Sequence, residues 1–161
     1  MSGSKKLLTV LLCLVLLIAF ILCTIPVPKR INTTFYGYAV NSNGDVIDTF
    51  TLTSRGKIRN YLFVTDEIMA DFTLAFDSGS TLRAKSTGPF MQLDDQTIVC
   101  NFNYLSGESQ TLDGGYMAVT PDGANLILDG MTSGVYYVAT TDSSMDADSL
   151  LSIFNDFTQH K

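Results

Sequence analysis

The chain has 161 residues, of which 46% are hydrophobic and 16% are charged. This length suits a single domain with a short appendage, and this composition excludes a disordered acidic chain. The formal net charge of −6 argues against a nucleic-acid-binding protein, because such a protein needs a basic surface.

The first predicted element is an apolar run from Leu7 to Val27 that contains no charged residue. At about 1.5 Å per residue, a helix of this length crosses a hydrocarbon layer about 30 Å thick. Basic residues flank both of its ends. We therefore predict a transmembrane signal anchor over 7–27, preceded by a short cytoplasmic N-terminus over 1–6. The lipid bilayer is the expected partner of this segment.

A cleaved secretory signal is the alternative interpretation of this run, and it would release a secreted domain. However, the apolar run is longer than in most cleaved signals, and no Ala-x-Ala-like site stands at its end. Lipidation at Cys23 is disfavoured because Leu22 before it is bulky. We therefore expect a single-pass membrane protein with a linker over 28–33 and an exported, extracytoplasmic domain over 34–161.

The exported domain is more acidic than the chain as a whole. All sixteen acidic residues follow residue 30 but only six of the ten basic residues do, which leaves this part with a net charge of −10. Cys100 is its single cysteine, so no internal disulfide can form. The domain must therefore be held together by an apolar core.

Turn signals interrupt the domain at short intervals, and the apolar residues between them alternate with a period of two. The first predicted strand, Thr34–Val40, ends at Asn41-Ser42-Asn43-Gly44, and Asn-Gly predicts a hairpin. Thr65–Ala70 fits either a strand or a capped helical turn. Further turns are predicted at Arg55-Gly56, Ser78-Gly79-Ser80 and Gly88-Pro89.

The second half of the domain continues this pattern and then changes it. Gln96–Leu105 is the longest alternating strand and places Cys100 in an apolar row. Pro121-Asp122-Gly123 predicts a second hairpin, and Gly134–Thr141 is the last predicted strand. After it, apolar residues recur every three or four positions, which predicts an amphipathic helix with Asp142, Ser143 or Ser144 as its N-cap.

These elements predict a mainly β fold, preceded by an N-terminal transmembrane helix. About eight to ten short antiparallel strands form either a β-sandwich or a partly open barrel. The C-terminal amphipathic helix packs across a sheet face or closes one end of the barrel.

The sequence shows no catalytic constellation. His160 is the only histidine and lies near the chain end, so Cys100 has no evident base to activate its thiol. Asp94 and Asp95 are adjacent and would face opposite sides of a strand. We therefore expect no enzyme activity, no catalytic residues and no cofactor.

One acidic stretch has the oxygen-rich spacing of a calcium loop. Asn41, Asn43, Asp45 and Asp48 resemble the start of such a loop, but Val46 stands where glycine is required. A hairpin turn explains the same residues, so we predict no metal site.

Basic residues recur at every second position in two segments of the domain. If the two strands are neighbours, these side chains form a positive patch that would bind an anionic ligand or a glycan. A solvated face, with charged edges that suppress aggregation, is the favoured explanation of the same residues. The five residues of this hypothetical site are Arg55, Lys57, Arg59, Arg83 and Lys85.

The sequence therefore predicts a membrane-anchored extracytoplasmic β-domain that acts without catalysis, as a binding, adhesive or accessory module. Its partner would be a protein, a glycan or an anionic ligand, and no nucleic acid is expected. The alternative is a carrier of a small molecule or lipid, with an apolar barrel interior and a helix closing one end. An apolar cavity of a few hundred Å³ would favour the carrier.

Overall fold

The computed structural model describes residues 3–61, 65–94, 97–104, 114–130 and 134–159. Its antiparallel strands follow one another in chain order, and the first strand pairs with both the second and the last. The described elements are α1 (Gly3–Thr24), β1 (Val27–Asn41), β2 (Val46–Asn60), β3 (Glu67–Phe76), β4 (Thr81–Asp94), β5 (Thr97–Tyr104), β6 (Gly114–Val119), β7 (Asn125–Gly130), β8 (Val135–Thr140), α2 (Ala147–Ile153) and α3 (Asn155–Gln159).

The mainly β fold is confirmed, and its architecture is a closed eight-strand barrel. The prediction of a sandwich or a partly open barrel was wrong in that respect. Closure gives every strand a neighbour on both sides over at least part of its length, which limits the unpaired sheet edges that promote aggregation. Alternate residues of each strand point inward, so the barrel interior forms the main apolar core. Its largest fully buried members are Leu52, Leu74, Phe102, Met117, Leu126 and Leu128.

The N-terminal helix carries its apolar side chains outside the barrel. From Lys6 to Ile21, every described side chain of α1 is exposed. Within the described residues, no helix is both long enough and apolar enough to cross a lipid bilayer. Strand β1 begins at Val27, so residues 28–33, predicted as a linker, are part of the barrel wall.

Two predicted turns are continuous strand in the structure. Strand β2 passes through Arg55-Gly56, where a Cβ on Gly56 would lie 2.2 Å from the Met69 carbonyl oxygen. This glycine therefore permits close approach of β3 and does not reverse the chain. Gly88-Pro89 lies within β4, at a shift in its register with β5. The segment 65–70, for which a strand and a helical turn were both possible, is strand from Glu67 onward, where β3 begins.

Both predicted hairpins are confirmed. Asn41 closes the β1–β2 turn because its side-chain oxygen accepts hydrogen bonds from the N–H groups of Asn43 and Asp45, each at 2.9 Å. Gly44 in the same turn has a φ of 90°, a conformation that glycine adopts without steric cost. In the β6–β7 turn, Asp122 accepts a hydrogen bond from the N–H of Ala124 at 2.9 Å.

The C-terminal helix packs on the outer wall of the barrel and closes neither end. Its N-cap is Asp146, whose carboxylate accepts the Ser149 N–H at 2.8 Å, so the predicted caps at 142–144 were wrong. The helix also breaks at Phe154 into the short α2 and α3. A second apolar cluster on the outer wall joins the helix to the strands and contains Val40, Val99, Ala118, Ile127, Val138, Ala147, Leu150 and Phe154.

Candidate ligand-binding site

Three aromatic rings fill one end of the barrel interior. Phe50, Phe76 and Tyr137 contact one another with ring centroids 5.5 to 6.0 Å apart. The ring of Phe50 lies over Gly37, where an added Cβ would come within 2.5 Å of the ring. These aromatic contacts close the barrel at the end where β1 turns into β2.

The opposite end of the barrel holds a cavity of about 370 Å³. This volume lies within the range of about 300–1,000 Å³ that is typical of small-molecule sites. Phe35, Phe72, Cys100, Met117 and Leu126 contribute to it from the buried core. Closer to the open end, the apolar wall is formed by Ile31, Ile58, Ile68, Phe90, Ile98 and Val119.

Unequal strand lengths make this opening asymmetric. Strands β1 and β2 each have 15 residues, whereas β6, β7 and β8 each have six. Strand β8 ends at Thr140, opposite Tyr36, so residues 27–35 of β1 pair only with β2. The wall is therefore high along β1 and β2 and low along β6 to β8. The β6–β7 turn, Pro121-Asp122-Gly123, lines the low side of the cavity.

The uncharged polar residues that line the cavity are Thr33, Ser54, Asn60 and Thr120. Thr33 lies on the inward side of β1, and its carbonyl oxygen accepts a hydrogen bond from the Ser54 hydroxyl at 3.2 Å. That bond satisfies the buried Ser54 hydroxyl without a ligand, in keeping with the rule that buried polar groups are paired. An apolar molecule could therefore occupy the interior without leaving this hydroxyl unpaired.

Charged groups line the cavity only at its rim. Lys29 and Arg30 stand on β1, Asp66 directly precedes β3, and Asp122 lies in the β6–β7 turn. The Asp66 carboxylate accepts the Tyr61 N–H at 2.7 Å. Hydrogen bonds from the Thr120 hydroxyl and then the Ala124 N–H hold the pKa of Asp122 below its usual range. Both carboxylates therefore already accept hydrogen bonds from their own turns.

Cys100 is a buried member of the cavity wall. Burial raises the pKa of its thiol to about 11, although a hydrogen bond with Ser86 acts in the opposite direction. A thiol with this pKa is neutral near pH 7 and is a poor nucleophile. The predicted position of Cys100 in an apolar row is confirmed.

Raising the pH is expected to destabilise the barrel through Cys100. The thiol ionises above about pH 9 when the chain is unfolded but only near pH 11 when it is folded, so its contribution to stability is complete below pH 9 and is lost as the pH rises through 11. The expected loss is on the order of 2–3 kcal/mol. Urea unfolding at pH 8 to 11 measures it, and Cys100→Ala is the control. Equal pH dependence in the two proteins would contradict this assignment.

The predicted basic residues all lie on the outer wall, apart from the cavity. Strand β3 separates the two rows, because β2 and β4 each pair with it. Asp71 of β3 stands opposite both Arg55 and Lys85, and Glu67 forms an ion pair with Arg59 at 3.5 Å. An open depression on this face is lined partly by Arg55 and Arg83, with Asp71 between them. The anionic-ligand site therefore stays a prediction, on a surface where acidic groups alternate with basic ones.

The described residues bring no metal-ligating cluster together. They contain no group of three His, Cys, Asp or Glu side chains placed to hold an ion. The oxygen of Asn41 in the calcium-like stretch is occupied by its own turn. Asp95 and His160 lie outside the described residues.

Sequence reasoning missed the cavity rim because it assigned Lys29 and Arg30 to the flank of the apolar run. The alternating pattern of β1 does extend to this point, since Ile31, Thr33 and Phe35 all line the cavity. Following that period upstream would have placed Lys29 on the inward side of the strand. The apolar run obscured this pattern because it continues to Val27 without a charged residue.

Comparison with known proteins gives no assignment. No protein-family model matches the chain, and no curated protein or solved structure is significantly similar to it. The chemistry of the cavity and its rim is therefore the basis for a functional conclusion.

Proposed function

We propose that this protein binds one apolar small molecule or lipid within its barrel and holds that ligand at a membrane surface. The observation that carries the proposal is the apolar cavity of about 370 Å³ at the open end of the barrel. Of the two functions predicted from sequence, the cavity favours the carrier over the adhesive or accessory module. The barrel interior binds the ligand, and the C-terminal helix packs against the barrel wall from outside.

The division of the interior into a closed half and an open half supports ligand binding. Aromatic rings at the closed end pack against one another, so they stabilise the fold without a ligand. The cavity at the other end keeps apolar side chains such as Ile58 and Phe90 only partly buried. A ligand would remove this apolar surface from water at about 25 cal/mol per Å², which is a driving force for binding.

The membrane location belongs to the same proposal and rests on the apolar run Leu7–Val27. Its side chains from Leu7 to Ile21 are exposed, and exposed contiguous apolar surface of this kind is typical of membrane or protein contact sites. Only Ile25 and Pro26 separate α1 from β1, and β1 begins at the open end of the barrel. An anchor in the bilayer would therefore place the cavity mouth at the lipid surface, on the extracytoplasmic side.

Photolabelling of the full chain in phosphatidylcholine vesicles tests ligand binding. A twelve-carbon fatty acid carrying a photoreactive diazirine should form covalent adducts at cavity positions such as Ile58 and Met117, located by mass spectrometry. Adducts confined to α1 or to outward-facing residues would overturn the binding proposal.

Fractionation of cells that make the full chain tests the anchor separately. The intact chain should remain in the membrane pellet after alkaline extraction. A freely soluble mature chain beginning near residue 24–30 would show cleavage and secretion instead.

A further inference from the structure

We infer that the cavity selects a single-chain amphiphile with an anionic head group, and that Lys29 determines this selectivity at the rim. The inference rests on the proposed function, because it names the class of ligand for the same cavity. The head group would be a carboxylate or a phosphate. The chain would lie in the barrel interior and the head group at the open end.

The position of Lys29 supports this role. Side chains alternate along β1, and Lys29 shares the inward row with Ile31, Thr33 and Phe35. These four residues form a path from the exposed rim to the buried core, where Phe35 is 4% exposed. A ligand chain lying along this row would bring its head group to the Lys29 amine.

The Lys29 amine also complements an anionic head group in charge. The part of the chain after residue 30 carries a net charge of −10, so it repels anions over most of its surface. Neither Lys29 nor Arg30 forms an ion pair with a described residue, in contrast to Arg59, which pairs with Glu67. Lys29 is therefore available to an anion, at a rim where Asp66 and Asp122 keep their charge and accept hydrogen bonds from Tyr61 and Ala124.

The size of the cavity limits the apolar part of the ligand. At about 30 Å³ for each water-sized group, 370 Å³ holds on the order of twelve groups, comparable to the methylenes of one medium-length acyl chain. A two-chain lipid would have to leave one chain outside the barrel. The low wall on the β6–β7 side gives a single chain a lateral route into the interior.

Two matched photoprobes test the inference in the full chain reconstituted in neutral phosphatidylcholine vesicles. Both carry the same twelve-carbon diazirine chain, one ending in a carboxylate and the other in an alcohol. We expect the carboxylate to label the cavity about tenfold more than the alcohol at equal membrane concentration, the factor for one charge-assisted hydrogen bond. Lys29→Gln should remove this preference and leave labelling by the alcohol unchanged.

Control variants separate the rim from general charge effects. Lys57→Gln removes a cation from the outward side of β2 and should keep the preference. The double variant, Lys29→Gln with Arg30→Gln, tests whether Arg30 can bind the head group when Lys29 is absent. Dodecyl phosphate should compete with the carboxylate probe, whereas inorganic phosphate, which has no chain, should not.

The outcomes distinguish this inference from the proposed function. Equal cavity labelling by the carboxylate and the alcohol would overturn the head-group selectivity while leaving apolar ligand binding intact. A preference that persists in Lys29→Gln would overturn the role of Lys29, whether or not the double variant loses it. Absence of cavity labelling by both probes would contradict the proposed function itself.

Discussion

Thr33→Trp is expected to reduce occupation of the cavity more than tenfold. Thr33 lies on the inward row of β1 and lines the cavity, so an indole ring at this position would fill the space meant for a ligand. If the ring displaces about 100 Å² of apolar ligand contact, the loss is about 2.5 kcal/mol, or more than tenfold in affinity. The measurement is the yield of cavity adducts with the twelve-carbon diazirine fatty acid in vesicles.

The adjacent Thr34→Trp is the matched control, because it makes the same change one residue along the strand. Thr34 is exposed on the outward side of β1. This variant should keep both the adduct yield and the adduct positions of the original chain. The two proteins should also have similar melting temperatures. If both tryptophan variants reduce labelling equally, the ligand does not occupy the barrel interior.

Phe50→Ala is expected to destabilise the protein severely. Phe50 is 3% exposed and contacts both Phe76 and Tyr137 at the closed end of the barrel. Its removal leaves a void beside Gly37, and such a change costs about 3–5 kcal/mol. That is a large part of the roughly 5–15 kcal/mol that stabilises a typical domain. Thermal unfolding followed by circular dichroism should show a fall of about 10 °C or more in the melting temperature.

Tyr36→Ala provides the comparison for an aromatic residue outside the core. Tyr36 is 48% exposed on the outward side of β1, next to Gly37. Its removal should change the free energy of unfolding by less than about 1 kcal/mol. Similar melting temperatures for the two variants would mean that the aromatic contacts at the closed end do not stabilise the barrel.

The sequence predicted hairpins correctly where interactions between neighbouring residues specify them. Asn41 and Gly44 impose the β1–β2 turn by side-chain hydrogen bonding and backbone freedom, which act within a few residues. The Pro121-Asp122-Gly123 turn was predicted for the same reason. Gly56 was predicted as a turn because glycine occurs both in turns and where two strands approach closely. Only the approach of β3 shows that the second reason applies here.

The local sequence also did not determine which residue caps α2. Asp142 and Asp146 are both good N-cap residues, and each accepts a backbone N–H in the structure. Asp142 holds a turn, whereas Asp146 begins α2 at the point where Ala147 and Leu150 pack against the outer wall. Packing against the barrel, and not capping propensity, selects the start of this helix.

The sequence by itself determined that this protein is an acidic, mainly β domain following an uncharged apolar segment, because composition and a period of two are properties of neighbouring residues. The tertiary structure alone decided that the sheet closes, that β3 separates the two basic rows, and that Lys29 stands at the mouth of an apolar cavity. Closure depends on pairing β1 with β8, which lie about a hundred residues apart along the chain. No local pattern specifies such a pairing, because its free energy comes from burying the interior of the whole barrel at once.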